Sequence, residues 1–127
     1  MLFRSSGAAS IDVSGASNLA ADVTTTSTQD YDGAVTLSAD MTLTTTNSNV
    51  TFGSTTDSDN ALTTRDLTID TGGTTATIQF VGAVGDTVPL DVITITGNLD
   101  LNAGIANAAG ITVQSDMTVN EIGRAHV

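Results

Sequence analysis

The chain has no cysteine, no tryptophan and no lysine, a single proline, and only three phenylalanines and one tyrosine among 127 residues. Without cysteine there is neither a disulfide framework nor a thiolate metal site, although this leaves the compartment open. Aromatic residues, at 3%, are too scarce for a globular β-sandwich core built on large rings. Basic residues are equally scarce: three arginines stand against thirteen aspartates and one glutamate, a formal net charge of −11. Such a surface repels phosphate backbones and anionic lipid, which argues against partners of either kind, nucleic acid or membrane surface. No apolar run is long enough to span a bilayer, and no charged segment leads into an apolar one as in a secretory signal; a signal for export would lie outside this stretch.

Threonine fills the gap. There are 24, most of them within or beside apolar runs, where a β-branched hydroxyl residue suits the solvent side of a strand. The stretch from Asp66 to Gly97 holds three alternating runs, Leu67-Thr68-Ile69, Ile78-Gln79-Phe80-Val81 and Val92-Ile93-Thr94-Ile95-Thr96. Gly72-Gly73, Gly82, Gly85-Asp86 and Pro89 punctuate them as corners. Ile11 to Ala21 reads as a strand, a glycine turn and a short apolar return, Ala34 to Leu37 as a strand, and Asn49 to Gly53 as a strand ending at a corner. Asp22 to Gly33 and Ser54 to Asn60 read as polar connections, the first ending in a turn.

The chain also resembles itself. Val35-Thr36-Leu37-Ser38-Ala39-Asp40-Met41-Thr42-Leu43 matches Ile111-Thr112-Val113-Gln114-Ser115-Asp116-Met117-Thr118-Val119 position by position in its apolar, Thr and Asp residues. The glycine-turn strands at Ile11 and Ile93 also match, at a wider spacing than Val35 and Ile111, which implies a repeat with length changes in its turns. Short strands, small corners and few aromatics predict an all-β solenoid rather than a sandwich. Val35, Leu37, Val50, Phe52, Leu67, Ile69, Ile78, Phe80, Ile93, Ile95, Ile111 and Val113 would point inward. At roughly 20 residues per turn and about 4.8 Å between turns, five or six turns would make a rod about 25 Å long.

The two ends break the composition. Glu121 to Val127 contains the only glutamate and the only histidine, and Ile122-Gly123-Arg124-Ala125-His126 is what a common short-read sequencing adapter encodes as ATC GGA AGA GCA CAC. Its reverse complement, GTG CTC TTC CGA TCT, gives an initiator and Leu2-Phe3-Arg4-Ser5. Residues 1–5 and 121–127 are therefore expected to be adapter scars that pack against nothing, flanking a solenoid segment at 6–120. That segment then holds one basic residue, Arg65, and no His, Lys or Cys.

Gln29 to Leu37, Asn49 to Ser54 and especially Gln79 to Gly97 resemble repeats of very large secreted bacterial surface proteins of the filamentous-haemagglutinin and autotransporter-passenger kind. The likeness covers most of residues 10–120, although the second copy near Ala108 to Ile111 lacks the Gln29-x-Tyr31-x-Gly33 element. It implies that the all-β chain is a right-handed parallel β-helix, a β-solenoid, serving as a stalk or adhesin segment, secreted or displayed on the outer cell surface. Its partners would be neighbouring repeats of the same chain and, through the full-length protein, a host surface or glycan.

Candidate sites are few. Asp57, Asp59 and Asn60 alternate oxygen ligands as Ca²⁺ loops do, without the glycine and distal glutamate of an EF-hand. Asp30-Tyr31-Asp32-Gly33 is a second acidic turn, with Tyr31 expected to pack at a corner rather than bind sugar. No catalytic residue is assigned: Arg65-Asp66 is the only basic-acidic pair, and neighbours on a strand point to opposite faces, which disfavours a polysaccharide-acting β-helix enzyme. No organic cofactor is expected. The rival binding reading rests on Thr42-Leu43-Thr44 and Thr94-Ile95-Thr96, whose paired hydroxyls share one face and suit an ice-binding or carbohydrate-binding solenoid.

Overall fold

The computed structural model describes residues 2–73, 75–103, 105, 108–114 and 117–119. In chain order the first strands are β1 (Leu2–Ala8), β2 (Ile11–Val13), β3 (Ser17–Thr25), β4 (Gln29–Tyr31), β5 (Val35–Leu37), β6 (Met41–Thr44) and β7 (Val50–Phe52). There follow β8 (Thr56–Ser58), β9 (Leu67–Asp70), β10 (Thr77–Phe80), β11 (Leu90–Thr96), β12 (Asn98–Leu101), β13 (Ala108–Val113) and β14 (Met117–Val119). Among the described residues there is no helix, and every strand pairing is parallel.

The chain visits three strand positions in rotation. The first is the six-stranded sheet β2-β4-β7-β10-β12-β14. The second is the start of β3, then β5 and β8, continued by isolated bridges through Val84 and Ile105. The third is the end of β3, then β6, β9, β11 and β13; β3 runs through both positions and joins them into one sheet. Parallel neighbours thus come from successive turns, the arrangement of a solenoid-like fold. In the first sheet Ile11 is in register with Gln29, Gln29 with Val50 and Val50 with Ile78, so each of these turns is longer than the one before. The last of them includes the loop between β8 and β9: length varies between strands while strand register is kept.

Alternation decides which side is buried. Strands such as Val35-Thr36-Leu37 and Leu67-Thr68-Ile69-Asp70 bury every second residue, as a period of two requires. Inside, Tyr31 stacks on Phe52 with ring centroids 5.4 Å apart, and Phe52 stacks on Phe80 at 4.6 Å. Around this ladder Leu19, Leu37, Leu43, Leu67, Ile69, Ile78, Ile93 and Ile95 are fully buried, each contributing roughly 1.5–3 kcal/mol. The corners demand small or hydroxyl residues. A Cβ on Gly33 would run into the Gly15 carbonyl of the turn below, so only glycine allows the two backbones to approach there. Thr25, Thr45 and Thr71, at the corners that follow the third position, are buried and turn their hydroxyls to the carbonyls of Ser27, Ser48 and Gly73 at 2.6, 2.6 and 2.9 Å.

Several expectations change. Of the expected inward residues, ten are buried, Val113 is half-buried against the core, and Ile111 is 47% exposed. Ile111 aligns with buried Ile93, but β13 is the outermost described strand of its sheet and no described strand covers it. Tyr31 packs within the core rather than at a corner. The connections at 22–33 and 54–60 contain strands β4 and β8 and the end of β3. The match between Val35 and Ile111 is not a structural repeat, because β5 lies at the second position and β13 at the third; the repeating unit is the single turn. Residues 1–5, expected to pack against nothing, instead include Leu2, Phe3 and Ser5, whose backbone pairs with Asn18, Leu19 and Val23 along an edge β3 would otherwise leave open. Residues 121–127 lie outside the described residues.

Candidate functional site

The outer surface is built from the alternate residues of the same strands, so each turn presents its polar residues in register with those of the next. At the first position the outward column runs Asp12, Asp30, Thr51, Gln79 and Asp100. At the third it runs Thr42, Thr68, Thr94 and Thr112, flanked two residues along by Thr24, Thr44, Asp70 and Thr96. The Thr-x-Thr pairs legible in β6 and β11 are therefore stacked on one sheet, with Thr68 of β9 between them.

Asp57, Asp59 and Asn60 lie at the end of β8 and the start of the loop to β9, and each has its own protein partner. Asp57 Oδ1 accepts the N–H groups of Thr87 at 2.9 Å and Val88 at 3.2 Å, pinning the following turn. Asp59 receives Arg65 in a two-pronged pair, Nε to Oδ1 at 2.9 Å and a terminal nitrogen to Oδ2 at 3.3 Å. That hydrogen bond, with the charge of the guanidinium behind it, holds the Asp59 carboxyl below the usual carboxylate range and raises Arg65 in return. Asn60 Oδ1 accepts the Leu62 N–H at 2.8 Å, a local turn. Among the described residues no three His, Cys, Asp or Glu side chains converge as a metal site would need.

Three further aspartates serve the winding. Asp22 accepts the Thr42 N–H, Asp40 the Asp66 N–H and Asp66 the Val92 N–H, at 2.8, 3.1 and 3.0 Å, each linking one turn to the next. Arg65 and Asp66 are thus engaged with different partners, Asp59 and Val92, and do not form a basic-acidic pair. Asp30 and Asp32 flank Tyr31, whose phenol lies inside the core, where burial pushes its pKa well above the ordinary value. An open depression lined by residues 10–16 follows the edge of β2 and carries one carboxylate, Asp12, and no basic group.

Sequence reading missed the polar groups inside. Gln29 occupies a core position between Ile11 and Val50 and donates to the carbonyls of Val23 and Thr44 at 3.2 and 3.0 Å and to Thr25 Oγ1 at 3.3 Å. The Gln29-x-Tyr31 spacing was the only signal, since i and i+2 share one side of a strand. No protein-family model, curated protein or solved structure matches the chain.

Proposed function

We propose that this chain is a structural segment of a secreted or cell-surface bacterial adhesin, non-catalytic, wound as a right-handed parallel β-helix. The observation that carries the reading is the strict register of strands across turns of unequal length, those running from Ile11 to Gln29, from Gln29 to Val50 and from Val50 to Ile78. A stalk needs that tolerance: each turn buries its aliphatic side on its neighbours while the corners vary freely. Right-handedness is favoured because parallel strands joined by a crossover wind that way in nearly all proteins. The resemblance of Gln79 to Gly97 to filamentous-haemagglutinin-like repeats supports the same role, with neighbouring repeats as partners and a host surface or glycan as the target of the whole protein. Export to the cell exterior follows from the same resemblance.

The test compares this chain alone with a version carrying additional turns at both ends, by size-exclusion chromatography with light scattering and by a sugar-release panel. The stalk reading expects association of the bare chain through its uncovered strand edges, a monomeric rod for the extended version and no sugar release. A monomeric bare chain that releases sugar would overturn it. A crystal structure showing left-handed winding would remove the handedness.

A further inference from the structure

The third strand position carries a threonine lattice that burial does not require. Thr42, Thr68, Thr94 and Thr112 are direct register partners on four consecutive strands, β6, β9, β11 and β13. Thr44, Asp70 and Thr96 form a second column beside them, headed by Thr24. In-register parallel strands set rows about 4.8 Å apart, and residues i and i+2 lie roughly 6.6 Å apart along a strand. The result is a two-dimensional grid of hydroxyl and methyl groups. Its backing is rigid, because the alternate residues Leu43, Leu67, Ile69, Ile93 and Ile95 are fully buried. Threonine adds to that order, since its branched Cβ restricts χ1 and leaves little side-chain freedom to lose on binding.

The carboxylates within the grid are held by backbone groups. Asp70, the one carboxylate in the middle of the columns, is drawn to the Gly72 N–H at 2.8 Å. Asp22, in line with Thr42, accepts the Thr42 N–H at 2.8 Å. Arg65 is not one of the column residues and is paired with Asp59.

We infer that these threonine columns bind an ordered water lattice, the surface of ice. The repeats along and across the strands are of the same order as oxygen repeats on planes of hexagonal ice, so hydroxyls can join the lattice while methyls occupy the spaces between. A polysaccharide surface is less well served: sugar rings stack on exposed aromatics, and among the described side chains the aromatic rings, Tyr31, Phe52 and Phe80, are fully buried. The inference is independent of the stalk reading, which concerns the strand edges and not this face.

The test grows ice slowly on a cold surface in a solution of the full chain and measures the fraction of protein taken into the ice, beside adsorption to crystalline cellulose and chitin. The wild type is expected to concentrate in ice and to stay off both polysaccharides. Thr68→Tyr and Thr94→Tyr should lose ice uptake, whereas Thr51→Tyr, on the outward column of the first position, should keep it. Thr68→Val retains the shape and β-propensity of threonine, so it reports on the hydroxyl even where the tyrosine variants do not fold, and it should lower uptake with an unchanged far-UV circular dichroism spectrum. Exclusion of the folded wild type from ice, equal behaviour of Thr51→Tyr and Thr68→Val, or Thr68-dependent adsorption to a polysaccharide instead would overturn the inference. None of these outcomes bears on association through the strand edges.

Discussion

The Tyr31 hydroxyl donates to Gln29 Oε1 at 3.0 Å, with both side chains fully buried. The Gln29 amide in turn spans from the Val23 carbonyl in β3 to the Thr44 carbonyl at the end of β6, so one polar side chain ties together two successive turns. A buried polar group that loses its partner costs about 1–3 kcal/mol, whereas removing both partners is much cheaper. Gln29→Leu should therefore destabilise by about 1–3 kcal/mol and Tyr31→Phe by about 1 kcal/mol. The double variant should be less destabilised than the sum, a coupling that urea denaturation of all four proteins would measure.

The same phenol makes stability sensitive to alkali. Burial raises the folded-state pKa of Tyr31, while the unfolded chain titrates near the ordinary value of about 10. The stabilising contribution is complete below that value; above it the unfolded state loses its proton first and stability falls as pH rises. Melting temperature should decline from about pH 10 upward in the wild type, and the decline should be shallower in Tyr31→Phe.

Two glycines should resist replacement for different reasons, and a third should not. Gly97 has φ +137°, and a Cβ there would lie 2.7 Å from both Ile78 Cδ1 and Thr71 Oγ1. Gly33 abuts the Gly15 backbone. Alanine at either should cost about 1–3 kcal/mol or more through strain and displaced backbone. Gly15→Ala, whose Cβ meets nothing within 4 Å, should lie within about 0.5 kcal/mol of the wild type. Thermal melts of the three variants make the comparison.

One substitution should stabilise. Thr56 Oγ1 is buried in the second strand position without a hydrogen-bond partner, aligned between Val35 and Val84. Thr56→Val keeps the shape and removes the unpaired hydroxyl, so the denaturation midpoint should rise by the equivalent of about 1 kcal/mol. A lower midpoint would show that the hydroxyl has a partner.

The Asp59–Arg65 pair closes the neck of a loop whose tip carries Leu62, 95% exposed. Being at the surface, the pair adds little to global stability, but it limits local opening of the loop. Arg65→Ala should leave the melting temperature nearly unchanged while speeding thermolysin cleavage before Leu62, read by mass spectrometry. Because Asp59 titrates below the usual carboxylate range, the wild-type loop should stay protected through mildly acidic pH and open only as the pH falls past the lowered value.

Local chemistry made much of this architecture legible. Alternating runs such as Leu67-Thr68-Ile69 admit only one buried side, and ten of the expected inward residues are buried as the period of two dictates. Strands β4 and β8 were hidden because their inward residues Gln29, Thr56 and Ser58 are polar and read as connection; only the fold encloses them and supplies Gln29 with partners. The turn length was hidden too. Strand β5 in the second position carries the same apolar-threonine-apolar pattern as β13 in the third, so a match between Val35 and Ile111 could not reveal that they lie in different positions. The threonine grid follows the same rule: its pairs at Thr42-Leu43-Thr44 and Thr94-Ile95-Thr96 are a property of the chain, but placing Thr68 between them is a matter of register. Register between distant strands is set by burial of every turn on its neighbours, a cooperative term that no single segment contains.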